Sequence, residues 1–314
     1  MKKIISIIIS FLSVFQIFAG EKNLLRKESF DKGTFKNLNF DLSFEEITFE
    51  KTYSDELTVE IYSNNRKKVP TYEIADNTLN LKSTTLRTYA GDLCKIHIYV
   101  PEDFTFENIT ISTKSGDIDA DSLHTNLLSL KTNSGSIEVD DVFADEELTL
   151  NSLSGEISVE DVITKNTKIE SSSGEIEIEK LGSEDLAVNS ISGKIFLNNY
   201  KGEYIFLKSN SGRIEATSVI CDYFTIESTS GSISFELKSA IKAASSITST
   251  SGRVNLFVPE ECGFDLIASS NSGSFDDEIL DADFTPRKDF TNSYYGGGPE
   301  ITIKTVSGGI NLDN

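Results

Sequence analysis

The chain has 314 residues, 50 acidic against 29 basic, and a formal net charge of −21 at pH 7, with no lysine or arginine cluster to offset it. That balance excludes nucleic acid as a partner on electrostatic grounds and disfavours an anionic membrane surface. Three cysteines, Cys94, Cys221 and Cys262, make no disulfide framework. The acidity reads first as solubility and as self-repulsion that keeps outward-facing strands from pairing with other chains, with a cation-binding role as the alternative.

Residues 1–20 read as an export signal: Lys2 and Lys3, an apolar segment from Ile4 to Phe18, then Ala19-Gly20 as small residues for cleavage. The segment is short for a membrane span, which takes about 20 apolar residues. Ile17 and Phe18 stand where cleavage prefers a small residue, so a retained anchor stays open beside a removed leader. Either reading sends the chain to the periplasm, the cell surface or the medium.

From 21 to 105 the pattern is β but irregular. Alternation runs through Leu38-Asn39-Phe40-Asp41-Leu42, Leu57-Thr58-Val59-Glu60-Ile61 and Ile96-His97-Ile98-Tyr99-Val100, which Pro101 ends. These stretches read as degenerate first coils and an N-terminal cap.

From 106 to 314 one unit repeats. A Ser-Gly pair recurs at Gly116, Gly135, Gly155, Gly174, Gly193, Gly212, Gly231, Gly252, Gly273 and Gly308, with spacings of 19, 20, 19, 19, 19, 19, 21, 21 and 35. Counting from each glycine, positions −7, −5, +2 and +4 are mostly aliphatic and +7 often is, as in Leu148, Leu150, Ile157, Val159 and Val162 around Gly155. Two alternating strands per unit produce that pattern. A fixed period near 19 marks a solenoid, whose units must stack to bury their apolar side. The expected fold is therefore all-β, a parallel β-solenoid of about ten regular ~19-residue coils plus degenerate N-terminal ones. Position −3 is always Ser or Thr and −1 always Ser, which predicts hydroxyl ladders at the inner corner. Short polar turns, such as Ala144-Asp145-Glu146-Glu147, are expected between +7 and −7.

Cys221 and Cys262 fall at similar points two coils apart, ~9–10 Å at ~4.8 Å per coil, beyond the ~7 Å reach of a disulfide. Buried free thiols are expected instead.

The frame breaks between Gly273 and Gly308, where 276–299 holds an insertion with Phe290, Tyr294, Tyr295, Gly296, Gly297 and Gly298. Two tyrosines beside three glycines suggest a contact loop, or a loop folded back to cover the last coils. Six residues after Gly308 the chain stops, with no evident cap. A bare final coil would offer unpaired backbone for end-to-end self-association through 301–314.

Catalytic chemistry has little to work with. His97 and His124 are the two histidines, and no zinc spacing, P-loop or nucleophile elbow occurs. Carboxylate pairs can be drawn from Asp117, Asp119 and Asp121, from Asp140 and Asp141, or from Asp276 and Asp277, but 50 acidic residues supply pairs by chance. The alternate carboxylates of Asp117-Ile118-Asp119-Ala120-Asp121 could share a strand face and bind calcium, but the run lacks the glycine and distal glutamate of an EF-hand, and a solvated acidic face is the simpler expectation. No catalytic, cofactor or metal residue is assigned.

The strand–Ser-Gly–strand unit, as in Leu148–Val159, the Val-Pro steps at Val100-Pro101 and Val258-Pro259, and the Gly-rich loop before Ile301–Leu312 resemble the DUF4097 family over roughly residues 38–314. This bacterial β-solenoid group is often labelled "putative adhesin". The resemblance implies an envelope or secreted, non-enzymatic module with an adhesin-like or structural role, bound to an extracellular or envelope protein or a glycan. It carries over no functional residue. A self-associating envelope scaffold or stress-sensing module is the second expectation, and a carbohydrate-active β-helix enzyme the third.

Overall fold

The computed structural model describes residues 23–84, 91–280, 282–284 (backbone only) and 290–314. The leader in 1–20 and part of the insertion, 281 and 285–289, lie outside the described residues. Strand dominates throughout, and no described helix is long and apolar enough to cross a membrane.

The N-terminal part contributes β1 (Asn23–Asp31), β2 (Asn37–Asp41), β3 (Glu46–Thr52), β4 (Glu56–Ser63), β5 (Thr71–Ala75), β6 (Thr78–Lys82), β7 (Cys94–Pro101) and β8 (Thr105–Ser112). Four long strands follow: β9 (Ile118–Thr132), β10 (Ile137–Ser152), β11 (Ile157–Ser171) and β12 (Ile176–Ser190). Each long strand is a whole coil between two Ser-Gly corners. Shorter pairs complete the next coils: β13 (Ile195–Lys201), β14 (Tyr204–Ser209), β15 (Ile214–Ile220), β16 (Tyr223–Ser228), β17 (Ile233–Leu237), β18 (Ser245–Ser249) and β19 (Val254–Phe257). The last group is β20 (Phe264–Ser270), β21 (Phe275–Asp277), β22 (Ala282–Phe284), β23 (Phe290–Tyr294), β24 (Glu300–Thr305) and β25 (Ile310–Asp313).

Successive coils pair in parallel and in register, so Ile137, Ile157, Ile176 and Ile195 lie in one column. The expected polar turns between +7 and −7 are not breaks. The chain stays extended through them in β9–β12, and the extra residue of the 20-residue coil is absorbed by a bulge between Ala144 and Glu147. The chain bends instead at +6, where Ser122, Asp141, Asp161, Lys180, Asn199 and Ser218 all take a left-handed conformation with φ between 48° and 56°. One left-handed residue resets the in–out alternation, so +4 and +7 both point inward, as Val139 and Val142 do.

The glycine at each corner is set by contact with the coil beneath. A Cβ on Gly174 would lie 1.9 Å from the Gly155 carbonyl oxygen, and every Ser-Gly corner meets a like obstacle. Hydroxyls at −3 are buried and serve this corner: Ser152 Oγ accepts from the Gly155 amide at 2.9 Å, and Ser190 Oγ donates to the Gly193 carbonyl at 2.8 Å. The expected ladder is therefore a series of side-chain-to-corner bonds, with Ser209 Oγ the exception, buried without a partner. Serines at −1 face solvent in all ten corners, from Ser115 to Ser307, so they form no inner ladder.

Stacking order departs from chain order at both ends. β24 and β25 lie between β18–β19 on one side and β20–β21 on the other, paired in parallel with both. Gly308 accordingly sits on Gly252, and Gly273 on Gly308. The final coil 301–314 is thus interior. Its backbone is paired on both sides, which removes the bare edge from which self-association was expected. At the other end β2–β3 lies between β6–β7 and β8–β9. Glu45 replaces glycine in that coil: Gly116 stacks on its carbonyl, while its buried carboxylate accepts from the Ser43 and Phe44 amides at 2.8 and 2.9 Å. Antiparallel strands close both ends, β1, β4 and β5 at the first and β22 and β23 at the second.

All three cysteines are free; Cys94 and Cys221 are buried, and Cys262 is only half-buried. Burial pushes the Cys94 and Cys221 thiols up to about 12. Under native conditions at pH 8, iodoacetamide is expected to label Cys262 first and to leave Cys94 and Cys221 unmodified until denaturant is added. Equal labelling of all three, read by peptide mass mapping, contradicts the buried placement.

Candidate functional site

The insertion residues singled out from the sequence occupy the closing end of the rod. Tyr294 is 3% exposed, stacks on Phe264 at 4.6 Å, and donates its hydroxyl to the buried Asp277 carboxylate. Phe290 packs on Phe275 at 5.1 Å. Gly296 and Gly297 have φ of +94° and +80°, while a Cβ on Gly298 would lie 2.4 Å from the Gly263 carbonyl. Backbone geometry thus accounts for all three glycines. Tyr295 is the aromatic that stays exposed, its hydroxyl accepting from Asn314 Nδ2 at 3.2 Å. Of the expected contact loop, Phe290 and Tyr294 cover the β20–β21 coil, the outermost of the stack, and Tyr295 faces outward.

Carboxylates gather elsewhere. Parallel register aligns Asp121, Asp140, Glu160 and Glu179 at +5, with Asp119 beside Glu138 at +3. Burial, with Glu138, Asp121, Glu50 and Asp140 nearby, raises the Asp119 carboxyl above its ordinary value. Asp117 is occupied at the corner, accepting from Ser136 N at 2.8 Å and Oγ at 3.0 Å. Asp276 and Asp277 lie on opposite faces of β21, one exposed and one buried, so they do not converge. Among the described residues no group of three or more His, Cys, Asp or Glu is placed to hold a metal ion. His124 contacts Asp145 at 3.3 Å and His97 approaches Glu50 at 3.5 Å, on separate coils.

A raised carboxyl binds its proton more readily in the folded than in the unfolded chain. Stability is therefore lost as pH rises through the window between the ordinary carboxyl value and the raised one. Asp119→Asn is expected to raise Tm at pH 7, with the gain fading as pH falls through that window and gone below about pH 4. A gain that stays constant across that range contradicts the assignment.

The outer side of the strands before the corner carries a groove of about 330 Å³ that runs along the rod axis. One wall is the −4 column, Asn151, Glu170, Asn189 and Lys208, aligned by parallel register. The other is the −2 column, Leu153, Ser172, Ile191 and Asn210. Leu153 and Ile191 are 53% and 52% exposed, and the small Ser172 between them opens the notch. Asn151 Nδ2 donates to Glu170 Oε2 at 3.1 Å, Lys168 pairs with Glu170 at 3.0 Å, and Lys208 with Glu227 at 2.7 Å. Both charges in the groove are thereby balanced on its own face. The sequence reading missed these residues because it followed inward positions. Leu153 and Ile191, two of the three aliphatics in the otherwise polar −2 column (Val306 is the third), were the available signal.

Corners of stacked glycine, parallel in-register coils and antiparallel closures define a parallel β-solenoid of short repeats. The chain belongs to the Toastrack DUF4097 family, which it matches over residues 35–217 and 146–313. No curated protein matches it. Among solved structures, a "putative adhesin" from Parabacteroides merdae is similar at 14% identity and TM-score 0.47, with 94% of this chain and 97% of that one covered. A "putative adhesin" from Bacteroides fragilis follows at 15% identity and TM-score 0.38, covering 93% and 98%. A "putative cell adhesion protein" from Clostridium sporogenes gives 14% identity and TM-score 0.27, covering 92% and 97%.

Proposed function

We propose that the protein is an adhesin-like, non-enzymatic binding module that acts outside the cytoplasm after export directed by residues 1–20. The observation that carries this reading is the display of outward side chains in axial columns on a rod closed at both ends. Ten steps from Glu45 to Gly273, at ~4.8 Å each, hold those columns along about 50 Å of rigid backbone. Such a surface suits recognition by many side chains fixed in advance, with little ordering cost on binding. Its polar groups serve mainly one another and the corners, which supports binding over catalysis.

The test is a solid-phase array of extracellular-matrix proteins, mucins and glycans probed with the labelled protein. Retention by at least one class is expected. Silence on every surface, or turnover of a polysaccharide in the same format, rejects the reading.

A further inference from the structure

From the groove described above, and resting on the binding-module reading, we infer that its ligand is a neutral oligosaccharide lying along the rod axis across Asn151, Glu170, Ser172, Asn189 and Lys208. Four features of the geometry converge on that class.

The first is the absence of open backbone in the groove. The strands that form its floor are paired to the coils on both sides, as β11 is to β10 and β12. An extended peptide gains affinity by adding to a free strand edge, and this floor has none to give. Recognition falls to side chains alone.

Second, those side chains are dense in amides and carboxylate. Asn189 and Asn210 each carry two donors and an acceptor, and Glu170, though each oxygen already accepts from Asn151 or Lys168, keeps a second lone pair on both. Neighbouring hydroxyls on a sugar ring donate and accept at once, which a column of mixed donors and acceptors can satisfy.

Charge is the third. Glu170 is balanced by Lys168 and Lys208 by Glu227. No uncompensated charge in the groove calls for a counter-ion on the ligand, and the acidic rod disfavours anionic sugars.

Finally, Leu153 and Ile191 rise on either side of Ser172, two coil steps apart, ~10 Å at ~4.8 Å per step. They offer aliphatic walls to the C–H face of one ring while its hydroxyls reach the −4 column.

The test is a titration of the full chain, and of variants, with cellotriose, maltotriose, mannotriose and N-acetylchitotriose at up to millimolar concentration, read by calorimetry and ligand-observed NMR. Binding of at least one trisaccharide is expected, weakened about tenfold or more by Asn189→Ala and by Ser172→Phe, which fills the notch. Thermal denaturation checks that both variants remain folded; should Ser172→Phe unfold, Asn189→Ala and Lys208→Ala carry the comparison. Binding that these variants leave unchanged overturns the inference, and so does a preference for sialylated sugars. If no trisaccharide binds while the protein is still retained on matrix proteins, the saccharide assignment falls and the binding-module reading stands.

Discussion

Gly174→Ala is expected to prevent native folding or to cost on the order of 4 kcal/mol or more, the range reserved for a change the core cannot absorb. The added methyl would sit 1.9 Å from the Gly155 carbonyl oxygen. The obstacle is backbone, which cannot rotate away, and backbone above and below holds it by hydrogen bonds such as Ser173 N to Leu153 O at 3.1 Å. Relief would require the corner to lift, opening the stack on both sides. Gly182→Ala is the matched control. Its Cβ would meet the nearest atoms at 3.9 and 4.0 Å, ordinary contact distances. That variant should stay within about 0.5 kcal/mol of the parent in urea denaturation. Similar losses in both would show that the corner contact is not what demands glycine.

Deleting 300–314 should do more than shorten the rod. In a solenoid stacked in chain order, loss of the last coil trims one end and leaves the rest paired. Here the missing segment leaves a gap between β18–β19 and β20–β21. Ile301, Ile303, Ile310 and Leu312 go with it, all buried, at about 1.5–3 kcal/mol each. Residues 264–280 lose their parallel partner and keep only antiparallel contacts with β22 and β23. Hydrogen exchange across 264–280 and 290–294 is expected to rise to that of an unfolded segment, while 137–228 keep their protection. Protection of 264–280 in the truncated protein would mean that β20 can close directly onto β18, contrary to the interposed arrangement.

The sequence was most legible where the repeat is strict. Gly135 through Gly252 and the aliphatic positions around them mark the coils, because a 19-residue period and period-2 alternation are local properties of the chain. What the coils stack upon is not local. Residues 301–312 carry the same motif whether they end the rod or fill a gap within it, so nothing in them announces an interior position. The −1 serines misled for a related reason. Parity groups them with −3, yet the chain turns at the corner and parity fails across a turn. Tyr294 was legible as a capping aromatic, but its partner Asp277 belongs to a distant strand. The groove depends on Leu153, Ser172 and Ile191 coming together from three coils. Spacing brings them into one column, and only exposure reveals the notch.

The interposed end coils also bear on how such a protein can lengthen over evolutionary time. A unit added after residue 314 would find no free coil face, since the final coil is already held on both sides and antiparallel strands close the end. The same holds before β2. Growth by whole units is open only in the interior, where Gly155, Gly174, Gly193, Gly212 and Gly231 follow one another at an even 19 residues. Duplication there inserts a coil in register and moves both closures apart intact. Rod length is therefore adjustable in single-coil steps of ~4.8 Å, and the ends are inherited unchanged.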